Sequence, residues 1–490
     1  MQDYTPGQIV AELNKYIIGQ DAAKRAVAIA LRNRLRRQRV SEAMRNDITP
    51  KNIMLIGPTG VGKTEIARRV SRLISAPFIK VEATKFTEAG YVGRDVDSII
   101  RDLAEAAFNL EHDERMGEVR EQAESVATER IINYLIEQRT DLHSSKRKAP
   151  RAMMQAQAGG DGATVVTEST QKIAAEVRPA LSERAMKQQR QKMARLLAEH
   201  KLDEEQIEID MGGMDSIADD MGGVMEFEPG MSADEMSDQF NQFLDGYRSL
   251  QNDMRRFKRM RRVSVREARR ILTDEEAHKL LDVETIVDNT VRRTEQTGVV
   301  FIDEIDKITG RATDIGPDVS GEGVQRDLLP IVEGSVVHTR YGPVKTDHIL
   351  FIAAGAFHSA KPSDLIPELQ GRFPLRVELE SLGTKELVAI LSEPENSLVK
   401  QYIAMLDTEG VKLEFEPSGM ERIAVIATEL NERLEDIGAR RLHTIMEQVL
   451  EDLSFRAEEE SGKTVTINAA YVDERVKSTA TNDDLSRYIL

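Results

Sequence analysis

The sequence predicts an α/β fold: a parallel sheet flanked by helices, interrupted by an inserted, mainly helical domain and completed by a C-terminal, mainly helical small domain. Three observations predict it. A glycine-rich stretch, Gly57-Pro58-Thr59-Gly60-Val61-Gly62-Lys63-Thr64, sits between the apolar run 53–56 and a helical pattern that starts at Glu65. Further strand-like runs follow at 78–83, 299–304, 348–355 and 375–379, each short and bounded as buried parallel strands are. Composition changes near Lys146, and the pattern beyond Glu380 is mostly helical. The expected organisation is a large domain of residues 1–110 and 285–378, an insertion of 111–284 with a low-order Gly/Met-rich part at 146–240, and a small domain of 379–490.

The glycine-rich stretch fits G-x-x-x-x-G-K-[ST] in its strand-loop-helix context, the arrangement of a P-loop. Glycines let backbone N–H groups turn toward phosphate oxygens, Lys63 reaches the β/γ-phosphates, and the Thr64 hydroxyl is placed for Mg²⁺. The expected ligand is a nucleoside triphosphate.

Composition narrows the class. Lys+Arg number 67 against Asp+Glu 84, a net charge of −17, which argues against a dominant partnership with nucleic acid. The absence of cysteine removes disulfides, thiolate zinc sites and thiol catalysis. No apolar run approaches ~20 residues and the first six residues show no signal pattern, so a cytoplasmic protein without a membrane span is expected.

In chain order, residues 8–40 read as two helices split at Ile18-Gly19-Gln20-Asp21, with Asp21 able to cap the second. Two readings of Ile17 and Ile18 stand together: core packing, or an apolar wall for an adenine ring. Gly90-Tyr91-Val92-Gly93 is either a glycine-bracketed turn or a mobile loop offering another polypeptide an apolar grip. A long helix spans 95–141, and one further helix, about 179–200, is expected within the Gly/Met-rich region. The basic run 255–270 is interleaved with apolar residues and reads as an ion-paired helix face or strand rather than a nucleic-acid patch. Val299-Val300-Phe301-Ile302-Asp303-Glu304 supplies the third strand; Asp303 would hold Mg²⁺ through water and Glu304 would polarise the attacking water. Arg372 ends a helix that leaves the nucleotide edge of the sheet, which gives it a phosphate-facing role, within its own chain or across a subunit boundary.

Together with these motifs, Gly323-Val324-Gln325-Arg326-Asp327-Leu328-Leu329-Pro330, Ile437-Gly438-Ala439-Arg440-Arg441-Leu442 and Asp484-Leu485-Ser486-Arg487-Tyr488-Ile489-Leu490 resemble the HslU (ClpY) family of AAA+ ATPases, unfoldase subunits of bacterial HslUV proteases. The resemblance covers residues 1–110 and about 255 to the end, with the segment between similar to the family's I-domain but longer and richer in Gly and Met than expected. A ClpX-type unfoldase is the nearest alternative, but its zinc module needs cysteines absent here. The resemblance implies a homohexameric, ATP- and Mg²⁺-dependent ring that threads proteins into the peptidase HslV. It implies that Ile18 contacts adenine, that Tyr91 and Val92 grip substrate, and that Glu304 activates water. It further implies that Arg372 is offered to a neighbour's nucleotide, that Arg440 is a sensor, and that Glu65 and Glu368 border the nucleotide. The tail Leu485, Ser486, Arg487, Tyr488, Ile489 and Leu490 would dock on the peptidase. Two other functions remain open: a nucleic-acid motor on the same core, and a nucleotide-gated scaffold.

One position departs from the pattern. Ala353-Ala354 stands where the fourth strand of this class usually carries a small polar residue that orients the hydrolytic water, so slow but real hydrolysis is expected unless His358 or the backbone substitutes. Ala354→Ser should therefore raise the rate of phosphate release; an unchanged rate would show that the position does not matter.

Overall fold

The computed structural model describes residues 4–45, 47–86, 94–155, 183–210, 260–309, 321–434 and 436–480, the side chains of 42, 139–155, 183–186, 260 and 477–480 excepted. It divides into two compact units, Met1–Leu110 with Val287–Leu490, and Glu111–Ile286.

The first unit opens with α1 (Pro6–Asn14), whose start follows from sequence: Pro6 pre-sets the first turn, Gln8 N donates to Thr5 Oγ1 at 3.3 Å and Thr5 N donates to Gln8 Oε1 at 2.8 Å, a reciprocal capping box. Helices α2 (Asp21–Gln38) and α3 (Glu42–Arg45) follow, then β1 (Ile53–Ile56), α4 (Lys63–Leu73), β2 (Phe78–Glu82) and the start of α5 (Ser98–Gln155). Asp21 is the first helical residue of α2 and pairs with Lys24 at 3.2 Å, while the cap position belongs to Gln20 in a left-handed conformation. The expected Asp21 cap is thus displaced by one residue, because Gly19 and Gln20 together make the turn.

The second unit holds the rest of α5, α6 (Glu183–Ala198), the antiparallel pair β3 (Gln206–Asp210) and β4 (Met260–Ser264), α7 (Val265–Leu280) and the first residues of α8 (Val283–Thr297). Its core gathers Ile131, Leu135, Leu197, Ile207, Val263 and Leu272. The composition break at Lys146 does not end the helix, since α5 continues to Gln155. Strand β3 was not expected, although Ile207 and Ile209 are buried between outward-facing polar neighbours. The described part of the basic run is strand then helix, and three of its arginines meet acids: Arg261 with Glu267, Arg266 with Glu204, Arg269 with Asp203.

The chain returns through α8 to β5 (Val299–Asp303), α9 (Gly321–Glu333), the hairpin β6 (Val336–Thr339) and β7 (Gly342–Lys345), β8 (Leu350–Gly355), α10 (Pro367–Arg372) and β9 (Leu375–Glu378). The sheet is five-stranded and parallel in the order β2-β5-β8-β1-β9. Its central strands are apolar on both faces because both are covered: Val300, Ile302 and Phe351 pack on one side with Ile99 and Leu328, while Val299, Phe301 and Ile352 pack on the other with Val27 and Ile66. A small helical layer completes the unit with α11 (Thr384–Ser392), α12 (Leu398–Asp407), β10 (Lys412–Phe415), α13 (Pro417–Arg433), α14 (Arg440–Phe455), β11 (Thr464–Ile467) and α15 (Ala469–Ala480), around Leu387, Ile423, Leu442 and Val449. This part is helical apart from the parallel pair β10 and β11.

Candidate nucleotide site

The carboxyl ends of parallel strands are where such sheets bind ligands, and Lys63, Thr64, Asp303 and Glu304 come together there. The P-loop connects β1 to the N-terminus of α4, whose first-turn N–H groups have no intrahelical acceptor and therefore suit an anion. Lys63 is buried, and its Nζ donates to the carbonyl oxygens of Gly57 and Pro58 at 2.6 Å each. Burial lowers its proton affinity and Arg440 adds to the effect, whereas Asp303 and Asp306 oppose it. Four charged groups, Arg440 from the C-terminal helical layer among them, therefore share one field.

Thr64 Oγ1 donates to Asp303 Oδ2 at 3.3 Å, which joins the end of the P-loop to the end of β5. The same carboxylate oxygen pairs with Lys80 Nζ on β2 at 2.9 Å, a contact that no sequence motif announces. Glu304 is exposed and holds a left-handed backbone, φ 58°, with its N–H donating to Asp303 Oδ1 at 3.1 Å. Non-glycine residues avoid this region at a cost of about 1–2 kcal/mol, and such strain concentrates at functional positions. Asp306, which carried no expected role, accepts from Ala356 N and Phe357 N at 3.3 and 3.2 Å and so ties the loop after β8 to the loop after β5. Ala354 is fully buried in the apolar layer beside α4, and His358 is exposed.

Ile17 and Ile18 lie in the turn between α1 and α2. Ile17 is buried in the core layer, and a Cβ on Gly62 would lie 3.9 Å from its Cγ2, so this side chain both packs and reaches the P-loop; Ile18 is half-buried. A buried lysine holds this turn. Lys24 Nζ donates to Asn14 Oδ1 at 2.5 Å and to Ile17 O at 3.2 Å and pairs with Asp21, which satisfies all three of its donors. Gln20 then bonds Glu380 in both directions, from its Nε2 to the carbonyl oxygen at 2.8 Å and from Glu380 N to its Oε1 at 3.1 Å, at the entry to the small domain.

The C-terminal helical layer touches the P-loop directly. Ala439 N donates to Gly60 O at 3.3 Å, and a Cβ placed on Gly60, φ +77°, would meet Ile437 O at 2.0 Å. Reciprocally, a Cβ on Gly438, φ +57°, would meet Thr59 O at 2.6 Å. Only two glycines allow these backbones to approach so closely. Arg440, exposed at the start of α14, follows immediately.

The remaining expected residues are engaged with partners of their own or exposed. Glu65 pairs with Arg69 at 2.6 Å and Arg68 at 3.6 Å on its own helix, and Glu368 is exposed in the first turn of α10. Arg372 is not at the nucleotide edge: Asn52 Nδ2 donates to its carbonyl oxygen at 3.1 Å, and Leu375 is registered against Ile53, the first residue of β1. A four-residue strand, about 13 Å at ~3.3 Å per residue, separates that position from the P-loop. The chain has crossed the sheet along α10, and the Arg372 guanidinium meets Glu333 at 2.8 Å. Gly90, Tyr91, Val92, Gly93 and the tail 485–490 lie outside the described residues.

Comparisons with known proteins give the family. The AAA model (ATPase family associated with various cellular activities) matches residues 53–193, and the AAA domain model of the Cdc48 subfamily matches 221–376. The ATP-dependent protease ATPase subunit HslU of Persephonella marina is 49% identical over 489 residues, which cover 100% of this chain and 99% of that protein. The chain belongs to the HslU family. The HslU of Magnetococcus marinus is 49% identical over 493 residues, 100% of both chains, and that of Halalkalibacterium halodurans is 50% identical over 488 residues, 99% of both. This HslU-family chain is an AAA+ ATPase with a nucleotide-binding core, and it is the ATPase component of its class rather than a peptidase. End-to-end coverage also overturns the expectation that its insertion is longer than the family's, since these relatives match it in length.

Proposed function

We propose that the chain is the ATP-driven unfoldase of a two-part protease, which grips protein substrates, unfolds them, threads them into an HslV-type peptidase and activates that peptidase, working as a homohexameric ring in the cytoplasm. The backbone interlock of Gly60 with Ile437 to Ala439 carries the reading, because whatever the P-loop holds is felt by the small domain without an intervening flexible side chain. No helix among the described residues is long and apolar enough to cross a membrane, in keeping with that setting.

In this reading the α4 N-terminus, Lys63 and Arg440 bind the triphosphate, and Ile17 and Ile18 flank the adenine. The Thr64 hydroxyl and the Asp303 carboxylate are hard oxygen donors facing one another, a set that fits Mg²⁺. The ion, when bound, neutralises charge on the phosphate oxygens. Glu304 accepts a proton from the water whose oxygen bonds the γ-phosphorus as the bond to the ADP oxygen breaks. Because Arg372 stands at the far end of β1 from its own P-loop, its nucleotide partner is a neighbouring subunit's, with Glu333 holding the side chain until then. Loss of the γ-phosphate releases Arg372 and Arg440, the small domain turns on the Gln20–Glu380 bridge, and the Tyr91 loop moves with the substrate.

The test is ATP-dependent degradation of a folded reporter with the cognate peptidase, comparing the full chain with one ending at Asp484. Degradation by the full chain alone is expected. If neither chain degrades the reporter while both hydrolyse ATP, the unfoldase reading falls. The nucleic-acid alternative is weakened, since Arg261, Arg266 and Arg269 of the basic run are already ion-paired.

A further inference from the structure

We propose that a cavity at the amino edge of the sheet, on the opposite side from the P-loop, is a second anion site that binds a small oxyanion of the phosphate class. The cavity has a volume of about 260 Å³ and is walled by Arg34, Arg36 and Arg37 of α2, by Lys51 just before β1, and by Gln296 and His348 at the approaches to β5 and β8. No acidic side chain lines it among the described residues. In a chain where Asp+Glu exceed Lys+Arg by 84 to 67, four formal positive charges around one opening are not a consequence of composition.

The two inner arginines are held without a counter-charge. Arg34 donates to the carbonyl oxygens of Thr297, Gln296 and His348 at 3.0, 3.0 and 2.9 Å. Arg37 donates to Arg45 O at 2.9 Å and to Gln296 Oε1 at 2.8 Å, and it also meets His348 Nε2. All these acceptors are neutral, whereas buried charges are ordinarily paired. Capping the last turn of α8 accounts for Arg34, because a cation is favoured at a helix C-terminus. It does not account for Arg36, Arg37 and Lys51 meeting at the same opening. Burial and the neighbouring Arg37 bring Arg34 down to about 9, and burial and Arg45 lower Arg37, so an anion here would relieve real repulsion. Two buried nitrogens nearby, Arg45 Nε and His348 Nδ1, have no hydrogen-bond partner among the described residues.

The ligand class follows from charge, shape and size. Guanidinium forks match phosphate oxygens, and the aliphatic remainder of the wall, such as Ile48 and Leu375, keeps the attraction from being fully screened. The volume falls below the ~300 Å³ at which sites for drug-sized ligands begin, which favours orthophosphate or pyrophosphate over a whole nucleotide.

Isothermal titration of pyrophosphate into the full-length chain saturated with ADP, at constant ionic strength, tests this. One site per chain is expected, and Arg36→Glu and Lys51→Glu, both at exposed positions, should each weaken pyrophosphate binding about tenfold or more while ADP affinity is unchanged. Binding that survives both substitutions but disappears with Lys63→Ala would assign the anion to the P-loop and overturn the proposal. Equal binding of acetate, or displacement by chloride at matched ionic strength, would overturn the phosphate class.

Discussion

Glu304→Gln is expected to stop ATP turnover while nucleotide stays bound. The side chain is exposed one residue beyond Asp303, and its backbone N–H is tied to the carboxylate that also meets Thr64 and Lys80. Glutamine keeps the size and the hydrogen-bonding but cannot take a proton from water, so phosphate release should fall by roughly 10²–10⁴, the contribution of a positioned general base. A companion variant separates chemistry from strain. At φ 58° a glutamate is held in a region that glycine occupies freely, so Glu304→Gly should gain about 1 kcal/mol in denaturant unfolding while being as inactive as the glutamine variant. Turnover that persists in Glu304→Gln would place the base elsewhere. Degradation that persists without turnover would favour the nucleotide-gated scaffold.

The parts of this site written in backbone chemistry were legible in the sequence. The P-loop spacing is dictated by how peptide N–H groups can surround an anion, and β5 shows itself as four apolar residues ending in Asp303 because a strand covered on both faces has no polar side to display. The parts that depend on where the chain comes back in space were not. No pattern in the sequence marks Lys24, and only the fold shows it 2% exposed and fixing the turn that carries Ile17. Arg372 reads as leaving the nucleotide edge of the sheet because its helix follows a strand that ends there, yet α10 carries it to the other edge before β9 begins. Asp306 is two residues from Glu304 in sequence, and its bonds to Ala356 and Phe357 come from a loop 50 residues later. Strand β3 was missed because five alternating residues next to a Gly/Met-rich stretch are a weak signal, although the alternation itself was present.

Gly438→Ala should uncouple the small domain from the P-loop. The added Cβ would lie 2.6 Å from Thr59 O and 2.9 Å from Gly60 C, backbone atoms that cannot rotate away, and φ +57° adds the ordinary left-handed penalty. The loops must separate, which breaks the Ala439 N to Gly60 O bond and moves Arg440 off the field it shares with Lys63. Losing one charge-assisted contact to phosphate predicts roughly tenfold weaker ATP binding, and losing the lid's pre-organisation predicts a further fall in turnover of about tenfold or more. A general loss of stability must be set apart from this, and Gly419→Ala supplies the control. There a Cβ would meet Ile467 O at 2.4 Å, also backbone, but wholly within the small domain. Both variants should unfold at lower denaturant concentration, by about 1–3 kcal/mol. Only Gly438→Ala should also lose the stabilisation that ATP confers on the folded protein, because that gain tracks nucleotide affinity. Equal responses to ATP in the two variants would mean that the small domain merely rests on the P-loop, and the coupling would have to run through the Gln20–Glu380 bridge instead.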